Sequence, residues 1–151
     1  QADERPLRAA PMMSLALFAF GGLIGLTIDG SNVKVPAHYH GSIVGVTLAF
    51  MGVTYLLLPR LDFGAVPSRA ATWQAWLYGV GQMLHITGLV WSGGYGVQRK
   101  VAGAAQGLDQ IGKVAGMGLM GLGGLIAVIG GVMFLVIVLR ALLRRGARPS
   151  K

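Results

Sequence analysis

Four long apolar runs limit what this chain can fold into more than any other feature of its sequence. They cover residues 11–28, 37–58, 71–93 and 114–139, and each reaches or approaches the roughly 20 residues that a helix needs to cross a bilayer. The sequence is 54% hydrophobic and 12% charged, whereas a soluble domain carries about 25% charged residues. These observations predict an all-α membrane protein in which residues 1–151 form one unit of four transmembrane helices.

Lys and Arg are distributed unequally between the two ends of the predicted bundle. Nine belong to the end that holds both chain termini and the second connection, and four belong to the other end. Together they account for all 13 Lys and Arg residues of the sequence. The nine are Arg5, Arg8, Arg60, Arg69, Arg140, Arg144, Arg145, Arg148 and Lys151, and the four are Lys34, Arg99, Lys100 and Lys113. Because cytoplasmic segments carry an excess of basic residues, the count predicts that both termini and the basic tail 140–151 are cytoplasmic. The Arg99-Lys100 pair opposes this trend and indicates an anionic partner nearby.

Several classes of function are excluded by what the sequence lacks. It has no cysteine, which excludes disulfides, thiolate metal sites and cysteine nucleophiles. Its net charge of +8 lies in loops and the tail without the interleaved aromatic residues of a single-strand binder, so we do not expect nucleic-acid binding. The predicted spans contain no acidic residue, and therefore no carboxylate proton relay.

Two of the three histidines lie in the segment Pro36-Ala37-His38-Tyr39-His40-Gly41, where the second apolar run begins. Successive residues of an α-helix turn by about 100°, so His38 and His40 project from nearly opposite faces of the helix. A single metal ion would not easily bind both, because a helical chelate needs a spacing of three or four residues. Two cofactors, one on each side of the helix, could each bind one imidazole. The alternative is that water and neighbouring groups satisfy both rings at the membrane interface.

Small residues follow these histidines at a spacing of four, at Gly41, Gly45 and Ala49. Such a ridge accepts either another helix or a flat ring, and His38 lies near the same face. The sequence leaves these two interpretations open. The same spacing recurs at Gly21 and Gly25, and at Gly123, Ala127 and Gly131.

The third histidine, His85, lies well inside the third run, close to Gln82 and Thr87. An ionisable residue within a span is a candidate functional group, and the alternative is a neutral histidine that bonds to a neighbouring helix. Water could be held by Gln82, Thr87 and three further hydroxyl groups, those of Thr47, Thr54 and Tyr55. Because hydroxyl groups in membrane helices more often bond to the backbone, we favour that interpretation.

Two of these segments resemble a known family. Val35-Pro36-Ala37-His38-Tyr39-His40, followed by a run that ends at Leu58-Pro59, resembles the tenth transmembrane helix of subunit I of the haem–copper oxidase superfamily. The segment 84–89, with the sequence LHITGL, and the later Arg99-Lys100 pair are similar to the eleventh helix and the loop after it. The first and last runs then correspond to the ninth and twelfth helices.

The resemblance implies a role for each matching residue. His38 would be the proximal ligand of the high-spin haem, which faces the copper, and His40 one axial ligand of the low-spin haem. Tyr39 would lie between the two haem planes. Arg99 and Lys100 would bind the haem propionates through charge-assisted hydrogen bonds.

The match also has departures and gaps. The family usually has Pro-Arg-Arg in the propionate loop, whereas this chain has Gln98-Arg99-Lys100, so the second contact would be a point charge. A His-Asp pair that binds a further metal in many members is not matched, since Asp29 is out of register and Ser31 takes the nearest position. The histidine that matches His85 is not a metal ligand in the family.

The copper ligands and the second ligand of the low-spin haem belong to earlier helices, so we expect no catalytic residue on this chain alone and no activity without a partner.

The resemblance therefore implies the C-terminal part, helices nine to twelve, of a terminal oxidase subunit I in the bacterial inner (plasma) membrane. The whole enzyme would reduce dioxygen to water with electrons from cytochrome c or quinol, using two haems and a copper held by another chain or segment. Its partners would be the remaining helices of subunit I, other oxidase subunits and membrane lipid. Because the chain begins with Gln1, we expect it to be a split subunit or a fragment.

Three alternatives remain. A nitric oxide reductase of the same superfamily would carry iron in place of copper, and the residues that distinguish it lie on the missing helices. A four-helix haem b anchor subunit of a respiratory complex would use His40 and His85 as its ligand pair. A structural or transport subunit would bind no haem.

Overall fold

The structure is a computed structural model that describes residues 4–144. The four α-helices in this part of the chain are α1 (Arg5–Gly25), α2 (Lys34–Arg60), α3 (Ser68–Gly94) and α4 (Ile111–Leu143), and one turn of 3-10 helix covers Gly103–Gln106. The predicted all-helical class is confirmed, with one helix for each apolar run. Most of the predicted basic tail, residues 145–151, lies outside the described residues.

Three of the four helices extend beyond the apolar runs at both ends, and α1 is displaced toward the N-terminus. This helix begins at Arg5 with Pro6 in its first turn, while Pro11 lies in its interior. A proline in the first turn loses no helical hydrogen bond, because the first N–H groups of a helix have no partner within it. Helix α1 therefore starts in a polar segment that hydropathy alone does not reveal, and its last residue is Gly25 rather than residue 28.

Within residues 4–144, three helices, α1, α2 and α4, are long and apolar enough to cross a membrane. Helix α3 is 27 residues long, but its composition is not apolar enough for it to count as a candidate membrane span. Its polar side chains lower its mean hydropathy, and one of them, Gln74, is completely buried. The third run thus forms a helix, as predicted, but its hydropathy falls below that of a typical span.

The helices pack as two close pairs, α1 with α2 and α3 with α4, and α3 also contacts α1 and α2. A Cβ added at Gly41 would lie 2.6 Å from the Cα of Gly21, and one added at Gly45 would lie 2.9 Å from the backbone N of Phe18. The ridge on α2 therefore receives helix α1 and not a flat ring. In the second pair, a Cβ at Gly130 would lie 2.6 Å from the backbone N of Tyr78.

The core lies between α1, α2 and α3. Leu17, Leu48 and Ile86, one from each of these helices, have no exposed surface and belong to one apolar cluster. Each such side chain contributes about 1.5–3 kcal/mol when it is transferred out of water. In a bilayer this driving force is reduced, and the close approach of small residues becomes the main source of attraction between the helices.

Candidate functional site

His38 lies in the second turn of α2 and faces α1. Its Nδ1 is 2.7 Å from the backbone carbonyl oxygen of Gly21. A carbonyl oxygen only accepts hydrogen bonds, so in the neutral ring Nδ1 carries the proton and donates it. The other ring nitrogen, Nε2, then keeps its lone pair and can bind a metal.

Gly25 provides the space that this ring occupies. A Cβ at residue 25 would lie 2.8 Å from Nδ1 of His38 and 2.9 Å from Cε1. The two glycines of the Gly21–Gly25 pair thus have different roles, since one supplies the carbonyl acceptor and a backbone contact and the other leaves room for the imidazole.

His40 faces the other way. Its Nδ1 lies 2.8 Å from the carbonyl oxygen of Pro36, one turn earlier in the same helix, so its Nε2 is also left with a lone pair in the neutral ring. Its imidazole stacks on the Tyr39 ring, with centroids 5.0 Å apart, and contacts the ring of His85 on α3. His38 and His40 therefore contact different neighbouring helices, as their spacing predicts.

The ring of His85 joins α3 to α4. Its Nδ1 lies 2.9 Å from the carbonyl oxygen of Met120, and a Cβ at Gly124 would lie 3.3 Å from the same nitrogen. The expectation of a histidine that is hydrogen-bonded to a neighbouring helix agrees with this geometry. In addition, its ring centroid is 5.2 Å from that of His40.

The loop after α3 brings the basic pair to the end of the bundle where α2 begins. The backbone N of Val33 donates to the carbonyl oxygen of Val97 at 3.1 Å, and Asn32 and Gln98 form an isolated antiparallel bridge. These contacts join the α1–α2 turn to the α3–α4 loop. Arg99 and Lys100 follow directly, at the same end of α2 as the two histidines.

Each residue of the basic pair has a distinct local constraint. The Nε of Arg99 donates to the hydroxyl of Ser31 at 3.3 Å. Lys100 has a φ of 62°, in the left-handed region that residues with a Cβ seldom adopt. Two side chains of the same charge are thus presented from a strained turn, an arrangement that occurs at binding sites.

Sequence reasoning missed the ion pair that fixes the α1–α2 turn. The Nζ of Lys34 lies 2.9 Å from Oδ1 of Asp29 and also donates to the carbonyl oxygen of Thr27 at 3.3 Å. Asn32 accepts a hydrogen bond from the backbone N of Lys34 at 2.9 Å. The hydrogen bond from Lys34 is the largest of the effects that lower the pKa of the Asp29 carboxyl. The sequence indicated a turn here, and the only further signal was a Lys five residues after an Asp.

Comparisons with known proteins identify the relatives of this chain, although no family model matches it. A cytochrome c oxidase subunit 1 sequence from Thermus thermophilus is 32% identical over 102 residues, which cover 60% of this chain and 94% of that sequence. The chain belongs to the cytochrome c oxidase subunit 1 family. A second, longer cytochrome c oxidase subunit 1, also from Thermus thermophilus, is 32% identical over 109 residues, 64% of this chain and 19% of that protein.

Another relative is uncharacterized protein RP382 of Rickettsia prowazekii. It is 41% identical over 137 residues, which cover 83% of this chain and 26% of RP382. The chain thus spans about a quarter of RP382 and about a fifth of the longer oxidase subunit. Membership of the cytochrome c oxidase subunit 1 family and the three apolar helices together fit a membrane protein.

The threonines of this cytochrome c oxidase subunit 1 relative do not form a polar path. Thr47, Thr54 and Thr87 each donate to the carbonyl oxygen four residues earlier, at 3.0, 2.8 and 2.7 Å, which agrees with the expected bonding to the backbone. Tyr55 instead donates to Oε1 of Gln74 on α3 at 3.0 Å. Of these four hydroxyl groups, only that of Tyr55 joins two helices.

Metal ligands are sparse in the part of the chain that the structure describes. No group of three or more His, Asp, Glu or Cys side chains is arranged there to bind a metal ion. His38 and His40 each present one nitrogen, on different sides of α2. Each of these nitrogens can therefore provide one ligand to a metal ion.

Proposed function

We propose that this chain is the C-terminal segment, helices nine to twelve, of a terminal respiratory oxidase subunit I. In this proposal it supplies one axial imidazole to each of two haems, His38 to the high-spin haem and His40 to the low-spin haem. The observation that carries the proposal is the pair of Nδ1 hydrogen bonds to Gly21 and Pro36, which leave both Nε2 atoms available on different sides of α2.

The donor chemistry fits haem. A ligating histidine usually donates its second N–H to a carbonyl or carboxylate, which fixes the tautomer and raises the basicity of the ligating nitrogen. Both histidines have this partner, and a haem needs one imidazole at an axial position because the porphyrin supplies four nitrogens. When bound, the haems and the copper supply the electron transfer and the reduction of dioxygen to water. The copper and its ligands belong to another chain or segment.

The basic pair and Tyr39 complete the proposed site. Arg99 and Lys100 neutralise the haem propionates at the end of the bundle where α2 begins, Arg99 through its planar fork and Lys100 as a point charge. Support comes from the contacts that hold their loop against the α1–α2 turn. Tyr39 stacks on His40, and the resemblance to the oxidase family implies that it would lie between the two haem planes.

The proposed topology has all four helices crossing the membrane, with both termini and the tail 140–151 in the cytoplasm. The excess of basic residues at that end supports it. Helix α3 crosses among the other helices, where its buried Gln74 is hydrogen-bonded to Tyr55. We place the complex in the bacterial inner membrane, with the remaining helices of subunit I and other oxidase subunits as partners and cytochrome c or quinol as electron donor.

The alternative of a haem b anchor subunit would use His40 and His85 as the ligands of one iron. The centroids of His40 and His85 are 5.2 Å apart and the rings are tilted by 48° against each other. A nitric oxide reductase of the same superfamily would use the same two histidines, and the distinction depends on the helices that this chain lacks.

The test is a reduced-minus-oxidised spectrum of the native complex, purified with every chain identified. We expect two haems, and we expect His38→Ala to remove the high-spin signal while most of the low-spin signal remains. His40→Ala should remove the low-spin signal. Unchanged haem content in both variants would refute the ligand assignment.

A further inference from the structure

A cleft of about 1220 Å³ opens at the end of the bundle opposite the histidines. Its walls come from the first turn of α1, the last turn of α2, the connection that follows and the first turn of α3. We propose that this cleft binds the phosphate headgroup of an anionic phospholipid. The proposal does not depend on haem binding.

The charge of the cleft favours an anion. Arg5, Arg8 and Arg60 all line it, and Glu4 is the acidic residue among the described residues of its wall. Glu4 is bonded to Arg8 at 2.8 Å. Arg60 takes part in none of the ion pairs formed between the described side chains, which join Arg8 to Glu4, Lys34 to Asp29 and Lys113 to Asp109. A positive charge therefore remains after the internal pairing is satisfied.

A hydroxyl group in the same wall also lacks a partner. The Oγ of Ser68, the first residue of α3, is buried and forms no hydrogen bond within residues 4–144. Buried polar groups are almost always hydrogen-bonded, so an unsatisfied one indicates a ligand or water that completes it. A phosphate oxygen near Ser68 could accept from this hydroxyl and from an arginine at the same time.

The remaining wall is apolar, and this distinguishes a lipid from a free ion. Leu7, Leu56 and Val66 line the cleft beside the charged groups. Helices α1 and α2 are apolar enough to cross a membrane, so their ends, which form the cleft, lie at the level of the lipid headgroups. Basic pockets between membrane helices at this level bind anionic headgroups. Inorganic phosphate would use the charged groups and gain nothing from the apolar wall.

The experiment uses the native complex that contains this chain, delipidated and placed in nanodiscs of phosphatidylcholine with or without phosphatidylglycerol. Native mass spectrometry then measures how many phosphatidylglycerol molecules stay bound. We expect one retained molecule at this site, and we expect Arg60→Gln to lower its retention about fivefold, the loss typical of one basic residue near an anionic lipid. Ser68→Ala should also lower retention although the net charge is unchanged.

Arg69→Gln is the matched control, because Arg69 is exposed at the start of α3 and is not part of the cleft wall. It removes the same charge from the same end of the bundle and should leave retention unchanged. The proposal is overturned if Arg69→Gln and Arg60→Gln act equally, since the effect is then one of general surface charge. It is also overturned if phosphatidylcholine is retained as well as phosphatidylglycerol, or if inorganic phosphate displaces the lipid.

Discussion

The imidazole of His40 on α2 lies 5.2 Å from that of His85 on α3, centroid to centroid, and His85 is in turn hydrogen-bonded to Met120 of α4. Helix α4 thus reaches one of the two proposed haem ligands through a single intermediate ring. A side chain that does not bind the iron can in this way fix the orientation of one that does.

Replacing His85 with Ala should leave both haems bound in the native complex but change the environment of the low-spin one. The variant removes the ring that packs against His40 and the hydrogen bond to the Met120 carbonyl, at a cost of about 1–3 kcal/mol in stability. We expect shifted or broadened low-spin signals in electron paramagnetic resonance. Thr87→Val is the control, because that hydroxyl donates only to the carbonyl of Met83 in its own helix. Identical spectra for the two variants would exclude a positioning role for His85.

Gly25→Ala should disturb the high-spin site selectively. The added Cβ would lie 2.8 Å from Nδ1 of His38, so the ring must move away from the Gly21 carbonyl and lose its hydrogen bond. Overpacking of this kind costs about 1–3 kcal/mol, and we expect less high-spin haem in the purified complex. Gly22→Ala, whose Cβ meets nothing within 4 Å, should keep the same amount of high-spin haem as the unchanged protein. A full high-spin signal in Gly25→Ala would show that His38 does not need this position.

Gly41→Ala should weaken the contact between α1 and α2. Its Cβ would lie 2.6 Å from the Cα of Gly21, and backbone atoms cannot move aside as a flexible side chain can. We expect a loss of about 1–3 kcal/mol, measured as a lower midpoint of thermal unfolding in detergent. At Gly121 a Cβ meets nothing within 4 Å, so Gly121→Ala should not lower the midpoint. An equal decrease in both variants would contradict the close packing of α1 on α2.

The ion pair between Asp29 and Lys34 should make stability depend on pH in the acidic range. The hydrogen bond from Lys34 lowers the pKa of Asp29 below its ordinary value of 3.8. A carboxyl with a lowered pKa stabilises the folded state above its unfolded value, and this contribution is lost as the pH falls through the folded value. The unfolding midpoints of the unchanged protein and Asp29→Asn should therefore differ near neutral pH and converge below pH 3.8. A constant difference at every pH would show that the pair contributes nothing through ionisation.

The opposite directions of His38 and His40 could be predicted because they depend only on the repeat of the helix, which is the same wherever that helix packs. The hydrogen-bond acceptor of His38 could not be predicted in the same way. It is a carbonyl 17 residues away, and its position depends on how α1 crosses α2, which the spacing of apolar residues does not encode. The ridge at Gly41 illustrates the same limit, because a row of small residues allows a close neighbour without specifying which one.

Helix ends were predicted less well than helix positions, for a related reason. Apolar runs report which residues leave water, whereas a helix continues into polar residues as long as its hydrogen bonds do. Helix α1 accordingly begins at Arg5 and α4 at Ile111, before the predicted apolar runs start at residues 11 and 114. The Asp29–Lys34 pair lies in a polar segment with no periodic pattern, so the sequence predicted only a turn.

The polar composition of α3 has a consequence for the biogenesis of this protein. On the proposed four-span topology, α3 would leave the translocon as a segment that lipid alone accepts poorly, with His85 still without its hydrogen-bond partner from α4. The tight fit of α3 against α4, where Gly130 meets Tyr78, would let the two enter the bilayer together as a helical hairpin. A nascent chain released before α4 is synthesised would then leave α3 without the helix on which it packs.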